Sequence, residues 1–267
     1  MHLYLQSYRR VIKSMFTAYY MLALVFGALA QKSHRLDLSG GIASIAMRDR
    51  GMSPLQYTGL GVSSEIMHTI QGAQSTQWFG FMYAQSGLSN THNNPISFRS
   101  FQLNAGSVWG VSDSVLGSGW GFLNRNQFIY INNPSLVNFN ERSYYYTSFG
   151  PAYSYRRQFT FLSVPLTFYL PVDFQLLGFY IEPSYTSNIP EGFIDHEGSW
   201  WGAFLGSVQF LEPFSSSIGG FSPELYYTLS SGQRIGLQYH FQFIRLGSTQ
   251  KLTSVMGNGH LTLSITL

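Results

Sequence analysis

The sequence predicts an all-β chain, a transmembrane antiparallel up-and-down β-barrel of about twelve strands, with ten or fourteen as the alternatives. Three observations predict it. Apolar and polar residues alternate with period two through most of the chain, and no window after residue 31 keeps helical spacing. Charged residues make up 10% of the 267 while aromatics reach 17%, against roughly 25% charge in soluble domains. The polar phases carry Gly, Ser, Thr, Gln, Asn and Tyr rather than the Lys and Glu that a face in bulk water favours. A water-soluble β-sandwich also alternates, but its strands average about 5–6 residues, whereas runs such as 218–231 suit a tilted crossing of roughly 9–11. Lipid offers no water to unpaired N–H and C=O groups, so a spanning sheet must close on itself. With no cysteine, the chain has no disulfide framework, thiol nucleophile, Cys-ligated zinc or lipoprotein anchor.

The elements follow in order. Arg9, Arg10 and Lys13 precede an apolar run from Met15 to Ala30 that ends Gly27-Ala28-Leu29-Ala30. A basic n-region, a short h-region and an Ala-x-Ala site read as a cleavable signal peptide over 1–30, leaving 31–267 as the barrel. The run is short of the ~20 residues that a spanning helix needs. Those three bases are the whole of the formal +3, so the chain from Gln31 onward balances Lys and Arg against twelve Asp and Glu. Nucleic-acid binding thereby loses its electrostatic support.

Strands are expected near 34–48, 54–69, 75–87, 97–111, 114–123, 143–156, 162–170, 174–187, 199–211, 218–231, 234–243 and 260–267. The clearest is 234–243, where Ile235, Leu237, Tyr239, Phe241 and Phe243 alternate with Arg234, Gly236, Gln238, His240 and Gln242. At the chain end Leu261, Leu263, Ile265 and Leu267 alternate with His260, Thr262, Ser264 and Thr266. Turn-rich stretches at 87–95 and 124–140 and sharp joins at Ser112-Asp113, Arg156-Arg157-Gln158 and Ser230-Ser231-Gly232 separate them. Pro171-Val172-Asp173 reads as a very short external join and 188–198 as a long periplasmic one, opposite to the loop lengths such barrels use. Trp109, Tyr145, Tyr153, Tyr155 and Trp200 fall at strand ends, where interfacial girdles sit.

The export signal, the alternation throughout and the terminal strand Gly259-His260-Leu261-Thr262-Leu263-Ser264-Ile265-Thr266-Leu267 resemble Gram-negative outer-membrane β-barrel proteins. The stretch 48–59, Arg48-Asp49-Arg50-Gly51-Met52-Ser53-Pro54-Leu55-Gln56-Tyr57-Thr58-Gly59, is similar to a loop of uncharacterised outer-membrane proteins of Bacteroidota. The resemblance implies an integral outer-membrane location, contact with membrane lipid, and delivery to the barrel-assembly machinery through the C-terminal strand. It supplies no activity.

In a barrel, function belongs to lumen or loop residues. Parity along the strands places Asp37, Glu65, Glu182, Glu224, Arg156, Arg234 and His240 inside, with Glu182, Glu224 and Arg234 as the expected central cluster. Arginine facing lipid at the midplane would cost roughly 2–4 kcal/mol. Such residues either fill the lumen with ion pairs and hydrogen bonds or line a polar path. The function expected is that of a porin-like passive small-solute channel or a non-catalytic accessory subunit bound to other envelope proteins. The enzymatic alternative is an outer-membrane lipid hydrolase using Ser and His at the rim, for which Ser89 with His92 and Asn94, and separately His240, are the candidates. No cofactor is expected. The scattered His68, His196 and His260 form no metal-ligand spacing, and Asp195-His196-Glu197 reads as a hydrated loop.

Overall fold

Alternating side chains that cannot leave a backbone edge in lipid give a ring of strands. The computed structural model describes residues 33–50, 53–72, 74–110, 116–134, 141–181, 207–211, 216–246 and 252–267. Among these, thirteen strands form one antiparallel sheet: β1 Ser33–Asp49, β2 Tyr57–Gln71, β3 Ser75–Ser89, β4 Pro95–Trp109, β5 Leu116–Asn132, β6 Glu141–Phe161, β7 Val164–Gln175, β8 Leu177–Ile181, β9 Val208–Phe210, β10 Ser217–Phe221, β11 Glu224–Thr228, β12 Arg234–Arg245 and β13 Leu252–Thr266. β1 to β6 pair in sequence, and β13 closes the ring on β1 from Arg35↔Thr266 to Asp49↔Leu252.

The thirteen strands occupy ten staves, the lower of the two alternatives to twelve. β7 and β8 are one stave along β6, which pairs Ala152↔Asp173 and then Phe149↔Leu177. Between those pairs β6 spends Gly150 and Pro151 against Phe174, Gln175 and Leu176, a β-bulge. Pro151 has no N–H to donate, so the extra residue falls where the ladder is already weakened. β9 pairs with β8, while β10 and β11 pair with β7 on one side and β12 on the other, so these three strands share the next stave. Pro223 interrupts its ladder for the same reason, although its carbonyl still accepts from Tyr239 N at 2.9 Å. The described parts of the expected strands 162–170 and 174–187 therefore form one stave, as do those of 199–211 and 218–231, and twelve becomes ten.

Three expected turns also change. Arg156-Arg157-Gln158 lies within β6, and the chain reverses at Leu162-Ser163, both with positive φ (49° and 67°), the two-residue hairpin geometry that matches strand twist. Residues 124–132 of the Asn-rich run belong to β5. Pro171-Val172-Asp173 is interior to β7, which removes the conflict over loop lengths. The joins 72–74, 162–163 and 229–233 lie at the end where β1 begins and β13 finishes, hereafter the terminal end. The strand ends that flank the joins 50–56, 133–140 and 182–207 lie at the opposite, loop end. The expected turn at 230–232 is present, with Gly232 at φ 84°. Residues 1–32, 188–198 and Trp200 lie outside the described residues, as does the expected join Ser112-Asp113.

Outward side chains are apolar around the ring: Ile42, Leu60, Trp120, Leu237 and Leu261 are each more than 60% exposed. In water this would be an untenable patch; against lipid it is the matching surface. Trp109, Trp120 and Tyr153 gather outside near the terminal end, with Trp120 and Tyr153 ring centres 4.7 Å apart. Outward polar residues satisfy one another. Asn126 donates to Asn124 Oδ1 at 2.7 Å, and Asn124 donates to Ser148 O at 3.0 Å.

Candidate functional site

Inward side chains change character halfway along the staves. Toward the loop end they are apolar and packed: Ile45 and Met47 of β1, Phe98 of β4, Ile129 and Ile131 of β5, Tyr144 and Tyr146 of β6, and Ile244 of β12 form one buried cluster. Two polar contacts cross it. Asp49 of β1 and Arg142 of β6, on opposite sides of the ring, pair at 3.1 Å, and Tyr144 OH donates to the same Asp49 oxygen at 2.5 Å. Both charged side chains are essentially inaccessible. Below them Gln242 of β12 donates to Gln127 Oε1 of β5 at 2.7 Å and to Tyr146 OH at 2.9 Å, and Gln127 donates to Ser100 Oγ at 2.6 Å. Tyr146 OH donates to Gln127 Oε1 as well. In this half the lumen is occupied by side chains.

Toward the terminal end the inward residues are charged and leave a cavity of about 120 Å³. Its walls include Arg35, Glu65, Arg125, Arg156, Asp173, Glu224, Arg234 and His240. Trp78, Leu123 and Ala152 make one wall apolar. Gln71 closes β2 and Arg234 opens β12, so the lining reaches the terminal rim. Arg35 Nε pairs with Asp37 at 2.9 Å, and the Arg234 guanidinium lies over the Tyr226 ring at 4.7 Å. Midway along the staves Arg125 Nη2 holds Asp173 Oδ1 at 2.9 Å, while Gln175 donates to Asp173 Oδ2 at 2.9 Å. His240 Nδ1 and Ser222 Oγ are 2.5 Å apart.

Of the residues assigned inside by parity, Asp37, Glu65, Arg156 and His240 are buried in the lumen, and Glu224 and Arg234 line the cavity. Glu182 lies outside the described residues, so the expected cluster with Glu224 and Arg234 is described only for its other two members. Sequence reasoning missed Arg35, Arg125 and Asp173. Arg35 shares parity with Asp37, so the pair was within reach. Arg125 and Asp173 were hidden because their neighbourhoods read as loop and turn; extending the alternation through 116–132 and 164–175 places both inward.

Neither histidine arrangement completes a nucleophilic site. Ser63 Oγ is 2.6 Å from His260 Nε2, but His260 Nδ1 stands 4.0 Å from Glu65 Oε2, beyond hydrogen-bond reach, and neither Ser63 nor His260 borders the cavity. Ser222 and His240 border it, yet His240 Nε2 has no hydrogen-bond partner to orient the ring. His92 and Asn94 donate their backbone N–H groups to Asn90 Oδ1 at 2.9 and 3.1 Å, an Asx-turn that accounts for the Asn/Pro loop beside Ser89. Among the described residues no group of three His, Cys, Asp or Glu could hold a metal ion.

No family model and no curated protein sequence matches the chain. Solved structures do. The outer membrane protease OmpT from Escherichia coli superposes with a TM-score of 0.50 at 7% identity, over 90% of this chain and 100% of that one. Neisserial surface protein A gives 0.40 at 11% identity over 89% and 100%. Ail, the attachment invasion locus protein of Yersinia pestis, gives 0.32 at 8% over 85% and 97%. At these identities the likeness speaks for the fold alone, and the fold is that of the Gram-negative outer-membrane β-barrels.

Proposed function

We propose that the chain is an integral outer-membrane barrel that does not conduct, and that it serves as a non-catalytic subunit of a larger envelope assembly rather than as a passive channel. The observation that carries this reading is the filled loop half. A solute entering from that end meets the apolar cluster and the buried Asp49–Arg142 pair, whose attraction in a low dielectric resists separation. No join at the terminal end exceeds six residues, whereas the loop end carries joins of seven, eight and 26, which is the reason for orienting the terminal end, with the cavity, toward the periplasm. Residues 1–30 act as its export signal, and the terminal strand addresses it to the assembly machinery. The test is planar-bilayer recording on the purified, heat-modifiable monomer, alongside affinity co-purification from envelopes. The reading expects no discrete conductance and stable envelope partners; reproducible unit conductance steps from the monomer overturn it. The hydrolase alternative predicts fatty-acid release from phospholipid vesicles that disappears in His240→Ala.

A further inference from the structure

We infer that the terminal-end cavity is a binding site for a small organic monoanion, a carboxylate carried on a compact apolar body. Arg125 is 1% exposed and borders the cavity, and its ion pair among the described residues, to Asp173, uses only Nη2. Its Nε and Nη1 have no hydrogen-bond partner among the described residues. Arginine cannot shed its proton, so these donors cannot be silenced by neutralisation, and leaving them unpaired in a buried site is costly. His240, also buried and bordering the cavity, adds Nε2, likewise without a partner. Of the two neutral tautomers, the one that accepts the Ser222 hydroxyl at Nδ1 carries its proton on Nε2, and in that form the ring is a further donor. The deep end of the cavity therefore offers several donors, and the nearest acid, Asp173, already has one oxygen on Arg125 and the other on Gln175. That is the complement of a carboxylate.

The remaining wall decides what the carboxylate is attached to. Trp78, Leu123 and Ala152 present an apolar surface to the same space. A cavity of about 120 Å³ is close to the roughly 150 Å³ that admits benzene in a dry apolar site. Glu65, Glu224 and Asp173 line the cavity beside four arginines, and Asp37 pairs with Arg35, so the charges around it balance and the preference for an anion comes from the donors of Arg125 rather than from net charge. Donors at the deep end, an apolar side wall and access from the terminal rim fit an aromatic or short branched carboxylate entering charge first.

The probe is benzoate, titrated calorimetrically into the full barrel in a non-ionic detergent at low ionic strength, beside acetate, benzyl alcohol and inorganic phosphate. Benzoate is expected to bind saturably with one site per barrel, acetate and benzyl alcohol at least tenfold more weakly. Arg125→Gln should weaken benzoate at least tenfold. His240→Leu keeps a similar volume, serves as a second variant should Arg125→Gln not fold, and should weaken benzoate at least threefold. Non-saturable benzoate heats, or affinity unchanged in a folded variant, overturn the site. Phosphate binding as tightly as benzoate overturns the carboxylate assignment.

Discussion

The two halves of the lumen are made by the same staves and the same inward phase, yet they are different materials. β5 passes inward from Leu123 through Arg125 and Gln127 to Ile129 and Ile131, and β12 from Arg234 through Gln238, His240 and Gln242 to Ile244. The loop half is a soluble-protein core turned inside a membrane wall, so its staves are apolar on both faces, as with Ile42 outside and Ile45 inside. The terminal half keeps the apolar-out, polar-in alternation of a lumen that meets water. Charge is tolerated differently in each. In the loop half Asp49 and Arg142 survive by pairing across the ring, whereas in the terminal half the arginines share a cavity with several acids. The filled half and the half that keeps a cavity are thus separated along one axis.

That contrast can be broken at graded cost. Arg142→Met is expected to have the largest effect, because it leaves Asp49 charged and buried; a loss of about 3–5 kcal/mol should appear as a lowered urea midpoint for tryptophan fluorescence in detergent. Adding Asp49→Leu should recover much of it, and a double variant as unstable as the single one would mean that the pair is not the source. Ile129→Ala, a truncation in the packed cluster, should cost about 2–5 kcal/mol in the same titration and still give no conductance. Leu237→Arg, on the outer surface, should cost roughly 2–4 kcal/mol in lipid; near-neutral behaviour in vesicle-reconstituted barrels would contradict a lipid-facing β12. Glu224→Gln, beside the cavity, should change stability by less than about 1 kcal/mol, since water can replace the lost contacts. An effect as large as that of Arg142→Met would mean that the terminal half is packed as tightly as the loop half.

Much of this was legible residue by residue. The inward parity of Asp37, Glu65, Arg156, Glu224, Arg234 and His240 follows from local alternation, because successive strand side chains point to opposite faces whatever the rest of the fold does. The stave count was not legible. Pro171 and Pro223 look like strand breakers, yet each sits within a stave whose neighbours supply the remaining ladder bonds: Ser222 N donates to Pro171 O at 3.0 Å and Tyr239 N to Pro223 O. Arg156-Arg157-Gln158 looks like a turn because it is polar, but in β6 Arg156 points into the cavity and Arg157 outward. The hairpin that does occur, Leu162-Ser163, carries none of the Gly or Asn that usually marks positive φ.

By itself, then, the sequence determined the environment and the phase: a low-charge, aromatic-rich chain whose strands put one face in lipid. These are properties of composition and of a two-residue repeat, and both are local. Only the tertiary structure decided that the ring has ten staves, that Asp49 meets Arg142 and Gln127 meets Gln242 across it, and that one half is filled while the other keeps a cavity. Which inward side chains face each other depends on how many staves separate them and on the register between every adjacent pair. A shift of one stave would bring different residues together across the lumen without changing the alternation at all.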